Sequence, residues 1–237
     1  MKHKIRRIHF VGIGGAGMSG IADKTMAAFP GALKNAEWTG NPVRADISAI
    51  AEPAARFAGR SGPLRLLVVG GSLGAQALNE AVPRALALIP EDARPSVLHQ
   101  AGEKNLQALE KTYRSAGILG ELLAFIDDMA RRYADADLVI CRAGAMTVAE
   151  LSAGGMASVL VPFPHAVDDH QTANAKFLAD KGAAILLPQS SLTPAGLAEL
   201  LRTLDRKKLL EMAGKARALG KPDAARIVAD RCAELAK

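Results

Sequence analysis

Short apolar runs alternate with longer mixed segments along most of this 237-residue chain. The run at residues 64–70, Leu-Arg-Leu-Leu-Val-Val-Gly, has almost no polar position, which is typical of a parallel strand covered on both faces. Similar runs recur at intervals of roughly 20–25 residues, as expected of repeated strand–helix–strand units. The pattern predicts an α/β fold, with a doubly wound, Rossmann-like parallel sheet of about six strands between helices.

The individual elements follow from this alternation. The predicted strands are residues 64–70, 96–100, 122–126, 138–141, 158–161 and 184–187. The predicted helices are residues 75–88, 104–116, 128–134, 147–153 and 171–181, followed by a helical tail at 193–204, 207–219 and 223–236. Residues 45–62 are predicted to form one loose helix and a connection. We therefore expect a main domain at residues 45–237, preceded by a βα fragment and linker at residues 1–44.

The fragment at residues 1–44 changes character halfway. A strand at residues 7–12 leads into Gly-Ile-Gly-Gly-Ala-Gly, a glycine loop of the nucleotide-binding kind, and a short helix is predicted at residues 19–28. Pro30-Gly31 then interrupts the pattern, and Asn41-Pro42 predicts a turn. Glu37 lies about 20 residues after the loop, as in NAD-binding Rossmann proteins. An NAD-dependent enzyme is the weakest hypothesis, because Glu37 does not lie clearly at the end of a strand.

Composition narrows the function classes. Hydrophobic residues make up 49% of the chain, which is ample for a packed core, and the two cysteines form no disulfide framework or metal-binding spacing. Their scarcity indicates a reducing compartment and hence the cytoplasm. No apolar run approaches the roughly 20 residues of a membrane span. We also expect no signal peptide, because the N-terminal apolar part is interrupted by glycines.

The net charge of +6 permits an acidic substrate or a weak contact with an anionic membrane surface. Nucleic acid is not an expected partner, because the basic residues are scattered and aromatic residues are only 4% of the chain.

Ligands of doubly wound sheets bind beyond the carboxyl ends of the strands, so the segments that follow the strands carry the candidate chemistry. After the first strand, Gly71, Ser72 and Gly74 form a small-residue turn whose backbone N–H groups and hydroxyl could bind a phosphate. The alternative is a tight turn without a ligand.

A second small-residue turn follows the strand at residues 138–141. The N–H groups of Ala145, Met146 and Thr147 are expected to be free at the start of a helix, where an anion would be favoured. Glu150, on the next turn of that helix, could accept hydrogen bonds from a ribose diol, or it could simply be an acid placed near a helix start. Arg142 could neutralise a phosphate or pair with Asp137.

Two further segments are polar at strand ends. Residues 162–174 include His165 and His170, but their spacing and the lack of a third clear ligand argue against a metal. Gln171 and Asn174 suit sugar hydroxyls, because an amide both donates and accepts.

The second of these segments follows the strand at residues 122–126. The backbone of Ile126 could contact a base edge with Met129 packed against it. Helix capping by Asp127 or Asp128 together with core packing explains the same residues without a ligand. No nucleophile–base set, P-loop lysine or redox cysteine pair is present, so we assign no catalytic residue.

Taken together, several long motifs resemble the MurG family of peptidoglycan N-acetylglucosaminyltransferases, which convert lipid I to lipid II. They are GNPVR, VVGGSLGAQALN, HQAG, FIDDM, ADLVICRAGAMTVAEL and VPFPHAVDDHQTANA. The similarity runs from about residue 23 to residue 237. It implies the C-terminal, UDP-GlcNAc-binding half of a glycosyltransferase-B fold, without a cofactor or an obligatory protein-bound metal.

The resemblance also implies roles for individual residues. The Ile126 backbone corresponds to the uracil contact, and Glu150 corresponds to the ribose contact. The diphosphate contacts are Ser72 and the turn at Ala145, Met146 and Thr147, while Gln171 and Asn174 lie near the GlcNAc hydroxyls. Arg44 corresponds to an arginine of the interdomain motif, and His170 stands where some members have glutamine.

The chain departs from the family at its start. Residues 5–22 resemble instead the beginning of the MurC family of UDP-N-acetylmuramate–L-alanine ligases, so we expect a fusion with a seam near residues 22 and 23. The lipid I acceptor site and candidate base of MurG are not matched. We therefore expect UDP-GlcNAc binding with little or no transfer, at the inner face of the cell membrane in the complete family enzyme. The alternative is a non-catalytic or engineered nucleotide-sugar-binding module.

Overall fold

In the computed structural model, the described residues are 39–71, 75–164, 166 and 169–235. The expectations about the glycine loop at residues 12–17, the helix at 19–28 and the seam near residue 22 fall outside them. The same holds for Ser72, Gly74 and His165.

The predicted doubly wound sheet is confirmed. Six strands pair in parallel in the order β3-β2-β1-β4-β5-β6. The strands are β1 (Arg65–Val69), β2 (Ser96–Gln100), β3 (Glu121–Leu123), β4 (Leu138–Cys141), β5 (Ser158–Leu160) and β6 (Ile185–Leu186). Each predicted strand is present: β2 and β4 have the predicted boundaries, and the ends of the other four differ by at most three residues.

Of the α-helices in the described residues, two precede β1 and the others lie between and after the strands. They are α1 (Ala45–Ser48), α2 (Pro53–Phe57), α3 (Gln76–Ala87), α4 (Leu106–Ser115), α5 (Met129–Asp135), α6 (Ala145–Gly154), α7 (His170–Ala179), α8 (Pro194–Thr203), α9 (Arg206–Leu219) and α10 (Ala224–Leu235). None of the helices in the described ranges is both long enough and apolar enough to cross a bilayer.

Two predictions about local structure were wrong. Residues 45–62 form two short helices rather than one, because Pro53 has no N–H for a continuing helix and instead begins α2. β3 ends at Leu123 rather than at residue 126. Its partner β2 ends at Gln100, whose side chain takes the Ala124 carbonyl, so the ladder cannot continue.

The core has two layers because successive strand residues point to opposite faces of the sheet. Leu66 and Val68 of β1 pack into the layer covered by α3, α4 and α8. Leu67 of the same strand packs into the opposite layer, with Leu151 of α6 and Leu178 of α7. Both faces of the central strands are therefore buried, as their continuous apolar sequences predicted.

A buried polar chain lies within the first layer. His99 of β2 is fully buried, with Nδ1 3.0 Å from the Tyr113 hydroxyl and Nε2 3.0 Å from Asn79 Oδ1. Asn79 in turn donates through Nδ2 to the Ala101 carbonyl at 3.4 Å. Asn79 Oδ1 therefore accepts from His99 Nε2–H, and the Tyr113 hydroxyl donates to Nδ1. This set of hydrogen bonds requires the neutral imidazole of His99. Burial favours the same form, because it lowers the pKa of His99 to about 3.

Asp137 holds together the amino-terminal edge of the sheet. Its buried carboxylate accepts from Arg60 Nη1 at 2.5 Å, from the Arg65 N–H at 3.0 Å and from Arg206 Nη2 at 3.1 Å. Arg60 comes from the connection before β1 and Arg206 begins α9. One carboxylate thus joins the connection before β1, the sheet and the helical tail.

We predict that Asp137→Ala lowers the free energy of unfolding by about 3 kcal/mol, because it leaves two partly buried guanidinium groups without their carboxylate. Urea denaturation followed by circular dichroism measures the change. Asp223→Ala is the control, since Asp223 pairs with Arg226 at the surface and should leave the midpoint unchanged. Equal midpoints for the two variants would contradict the role given to Asp137.

We also predict an acid-side loss of stability from His99. Its pKa is about 6.5 in the unfolded chain and about 3 in the folded chain, so the unfolded state binds more protons between these values. The contribution is complete above pH 6.5 and falls by up to about 1.4 kcal/mol per pH unit below it. Urea midpoints at pH 7.0, 6.0 and 5.0 should decline less steeply for His99→Gln than for the unchanged chain. Parallel declines would show that His99 does not titrate on unfolding.

Candidate functional site

The chain reverses direction in the sheet between β1 and β4. It runs outward from β1 through β2 to β3, then returns to place β4 beside β1 and continues outward to β6. The connections that leave β1 and β4 therefore diverge and open a crevice at this topological switch point. Val69 and Cys141, the last residues of the two strands, pair directly, so the two small-residue turns begin side by side.

The turn after β1 is held by the side chain of Gln100. The Gly71 N–H donates to Gln100 Oε1 at 3.0 Å, while Gln100 Nε2 donates to the Gly71 carbonyl at 3.2 Å. Gly71 has φ +82°, a left-handed conformation that glycine adopts without penalty. Its N–H is engaged by the protein, so Gly71 shapes this turn rather than presenting its own donor.

The turn after β4 leads into the free end of α6. Among the described residues, the N–H groups of Ala145, Met146 and Thr147 have no acceptor, and the capping residue Gly144 has no side chain that could supply one. The helix dipole places partial positive charge at the same point. This end of α6 can therefore bind an anionic group that enters the crevice.

Glu150 lies on α6 beyond this free end. Its carboxylate is largely buried, 3.4 Å from Arg44 Nε, and it forms a hydrogen bond with the buried Tyr133 hydroxyl. Burial raises the pKa of Glu150, and the nearby Arg44 opposes that rise. The pairing brings Arg44 of the linker to the site, although the sequence had suggested for it only an interdomain role.

The carboxyl-terminal end of α6 is restrained by two arginines. Arg56 donates to the carbonyls of Gly154 and Gly155, and Arg217 donates to the carbonyl of Ala153. These cations complement the negative end of the helix dipole. Gly155 has φ +62°, and a Cβ there would lie 2.9 Å from Arg217 Cβ, so only glycine permits this approach. The restraint fixes the position of Glu150.

Ile126 lies in the segment that joins β3 to α5. Ile126 is buried, yet within the described ranges its N–H and C=O groups have no hydrogen-bond partner. Met129 begins α5 and packs in the same layer. The alternative explanation holds in part. The Asp128 carboxylate binds Arg132 Nε at 3.1 Å rather than a backbone N–H of α5, so Asp128 does not cap the helix with its side chain. Core packing is confirmed, since Ile126 is buried and Met129 packs against the same cluster.

The amide side chains of α7 are partly engaged. Gln171 Oε1 accepts from the Phe163 N–H at 3.0 Å, and Asn174 Nδ2 donates to the Ala143 carbonyl at 3.0 Å. In the described part of the chain, Gln171 Nε2 and Asn174 Oδ1 have no hydrogen-bond partner, which leaves one donor group and one acceptor. His170, the remaining candidate here, begins α7.

Arg142 does not pair with Asp137, contrary to one of the two expected roles. The two residues flank β4 at opposite ends, and Asp137 is taken by Arg60 and Arg206. Arg142 instead donates to the carbonyls of Val161 and Pro162, both at 3.2 Å, and to Gln189 Oε1 at 2.7 Å. It therefore anchors the segment after β5. No group of His, Cys, Asp and Glu suited to a metal occurs among the described residues.

Two residues of the site were missed at the sequence level. Gln100 lies in the HQAG motif, and an amide at a strand end could have indicated it. Tyr133 gave no signal, because an aromatic residue on a helix is normally explained by core packing.

Known proteins match this chain over the residues that form the sheet and the candidate site. Residues 65–228 match the family described as the glycosyltransferase family 28 C-terminal domain. A UDP-N-acetylglucosamine–N-acetylmuramyl-(pentapeptide) pyrophosphoryl-undecaprenol N-acetylglucosamine transferase of Aromatoleum aromaticum is 64% identical, over 92% of this chain and 64% of the relative. The protein of the same name from Nitrosospira multiformis is 61% identical, over 92% of this chain and 62% of the relative.

Among solved structures, MurG of Acinetobacter baumannii superposes with a TM-score of 0.75 at 44% identity, covering 85% of this chain and 57% of that one. The calicheamicin glycosyltransferase CalG4 superposes with a TM-score of 0.53 at 21% identity, covering 83% and 47%, and supports the fold alone.

This chain spans about three-fifths of the length of its curated relatives. Since the family match extends over most of the chain and includes every strand of the sheet, the chain belongs to the glycosyltransferase family 28 C-terminal domain family.

Proposed function

We propose that this chain binds UDP-GlcNAc in the crevice between the turns that follow β1 and β4. The observation that carries the proposal is the arrangement of α6, which presents at the switch point three N–H groups without a partner among the described residues, and a fixed carboxylate on the next turn. The N–H groups suit the diphosphate. The Glu150 carboxylate suits the two ribose hydroxyls.

The remaining parts of the donor fit groups around α6. The unpartnered backbone of Ile126 suits the edge of uracil, with Met129 beside it. Gln171 and Asn174 retain one donor and one acceptor for sugar hydroxyls. Ser72 and Gly74 stay predicted diphosphate contacts, because they lie outside the described residues.

We further propose that the complete family enzyme transfers GlcNAc to a lipid-linked muramyl acceptor, the activity named for the relatives. The C4 hydroxyl of the acceptor attacks the anomeric carbon of the donor, and the bond from that carbon to the diphosphate oxygen breaks, with inversion. The hydroxyl proton passes to a base that we do not assign. The start of α6 stabilises the charge that develops on the departing UDP.

The setting of this activity is proposed on the same basis. An undecaprenol-linked acceptor is confined to a membrane, so we place the chain in the cytoplasm at the inner face of the cell membrane. The net charge of +6 would favour weak contact with an anionic surface. Nucleic acid stays an unexpected partner. The second candidate function is a module that binds nucleotide sugars without catalysis, because the groups that we assign all serve the donor.

We predict that Glu150→Ala raises the dissociation constants of UDP and UDP-GlcNAc by about 10- to 100-fold, since two charge-assisted hydrogen bonds to ribose are lost. Isothermal titration calorimetry measures both constants. Glu199→Ala is the matched control, because Glu199 is exposed on α8 and pairs with Arg202. Unchanged affinity in Glu150→Ala would remove the ribose assignment, and no binding by the unaltered chain would remove the proposed function.

We also predict that the 237-residue chain alone binds UDP-GlcNAc but releases UDP very slowly with a lipid I analogue. The described residues supply donor contacts and no assigned base. A coupled UDP-release assay, run beside the Aromatoleum aromaticum relative, tests this. Turnover close to that of the relative would contradict the prediction and exclude the binding-only alternative.

A further inference from the structure

Gln100 makes three hydrogen bonds to two separate backbone segments. Its Oε1 accepts from the Gly71 N–H at 3.0 Å, and its Nε2 donates to the Gly71 carbonyl at 3.2 Å and to the Ala124 carbonyl at 2.9 Å. The residue is only 3% exposed. Both of its N–H donors are used, so the side chain has no donor left for a ligand. These contacts indicate a role in holding the protein itself.

The two segments that Gln100 joins lie on either side of its strand. β2 stands between β3 and β1, so its last side chain lies between the connection after β3 and the turn after β1. Gly71 lies in the turn after β1, which begins beside the turn that leads to the start of α6, where we propose that the diphosphate binds. Ala124 lies two residues before Ile126, whose free backbone groups we assign to the uracil. The Gln100 carboxamide is thus a direct link between the proposed base and diphosphate subsites.

The contact with Gly71 also selects a backbone conformation. Both polar groups of this glycine bind the same carboxamide, which fixes the orientation of the residue at φ +82°. A Cβ at this position would meet nothing within 4 Å, so the space around Gly71 does not impose the conformation. Within the described residues, the carboxamide is the group that holds it.

We propose that Gln100 is a positioning residue that sets the separation of the base and diphosphate subsites. The inference deepens the proposed function and rests on it. A ligand that spans both subsites depends on their separation, whereas a ligand that occupies the base and ribose side alone does not. Loss of the carboxamide should therefore lower the affinity for UDP much more than the affinity for uridine.

The test uses Gln100→Leu, which keeps the approximate volume of the side chain and removes all three hydrogen bonds. Gly71→Ala is the second variant, because it strains the left-handed backbone without a clash and should fold. Tyr113→Phe is the control. It removes a buried hydrogen bond to His99, the neighbour of Gln100 that faces the opposite layer, and leaves the Gly71 contacts intact.

Calorimetry at 25 °C gives the UDP dissociation constant, and NMR titration gives that of uridine. Hydrogen exchange of the Gly71 amide is measured without ligand. For Gln100→Leu we expect the UDP constant to rise about tenfold or more, equivalent to about 1.4 kcal/mol, and the uridine constant to rise less than about threefold. Gly71 exchange should accelerate. Gly71→Ala should also weaken UDP, and the double variant should lose less than the sum of the two single losses.

Three results would overturn the inference. The first is a folded Gln100→Leu variant with unchanged UDP affinity. The second is that both Gln100→Leu and Tyr113→Phe weaken the binding of UDP and of uridine by the same factor, which indicates general destabilisation. The third is weakened UDP binding with unchanged Gly71 exchange, which indicates direct contact of Gln100 with the ligand. If the unaltered chain binds no UDP, both the proposed function and this inference fail. If the unaltered chain binds UDP and one of the three results above is found, only the inference about Gln100 fails.

Discussion

The pairing of β1 with β4 is the constraint on which the rest of the structure depends. Four residue pairs, from Leu66 with Leu138 to Val69 with Cys141, place side by side two strands that are separated in sequence by two complete strand–helix units. The pairing creates the switch point at one edge of the sheet. At the opposite ends of these strands it brings the Arg65 N–H to Asp137, which also binds the connection before β1 and the helical tail. The same two strands therefore determine where a ligand can enter and where the outer elements attach.

The two ends of α6 differ: one offers hydrogen-bond donors to a ligand, and the other is held in place by the protein. In the described part of the chain, the N–H groups of the first turn of α6 have no partner, whereas its last carbonyls are bound by Arg56 and Arg217. Glu150 lies between these ends and is held further by Tyr133 and Arg44. A carboxylate restrained in this way loses little conformational freedom when it binds a ligand, which preserves affinity that a mobile side chain would forfeit.

Most of the sheet could be predicted from the sequence, because the strands are continuous apolar runs bounded by small residues. Glu150 and the start of α6 were also predictable, since a small-residue turn after a buried strand has a clear physical meaning. The connections made by long side chains were not. The partners of Asp137 lie 77 and 69 positions away in the chain, and no local pattern specifies them. The early end of β3 depended likewise on a side chain of the neighbouring strand, which its own apolar sequence does not reveal.

The neighbouring residues His99 and Gln100 bind opposite sides of the sheet, one joining α3 to α4 and the other joining the turn after β1 to the connection after β3. Because side chains alternate along a strand, a shift of β2 by one position would exchange the two and disrupt both networks together. Substitutions of individual apolar residues in β2 should therefore be tolerated, whereas insertions and deletions within β2 should be selected against. Length variation among family members should accumulate instead in the surface segment between α4 and β3, where the chain can lengthen without moving this pair.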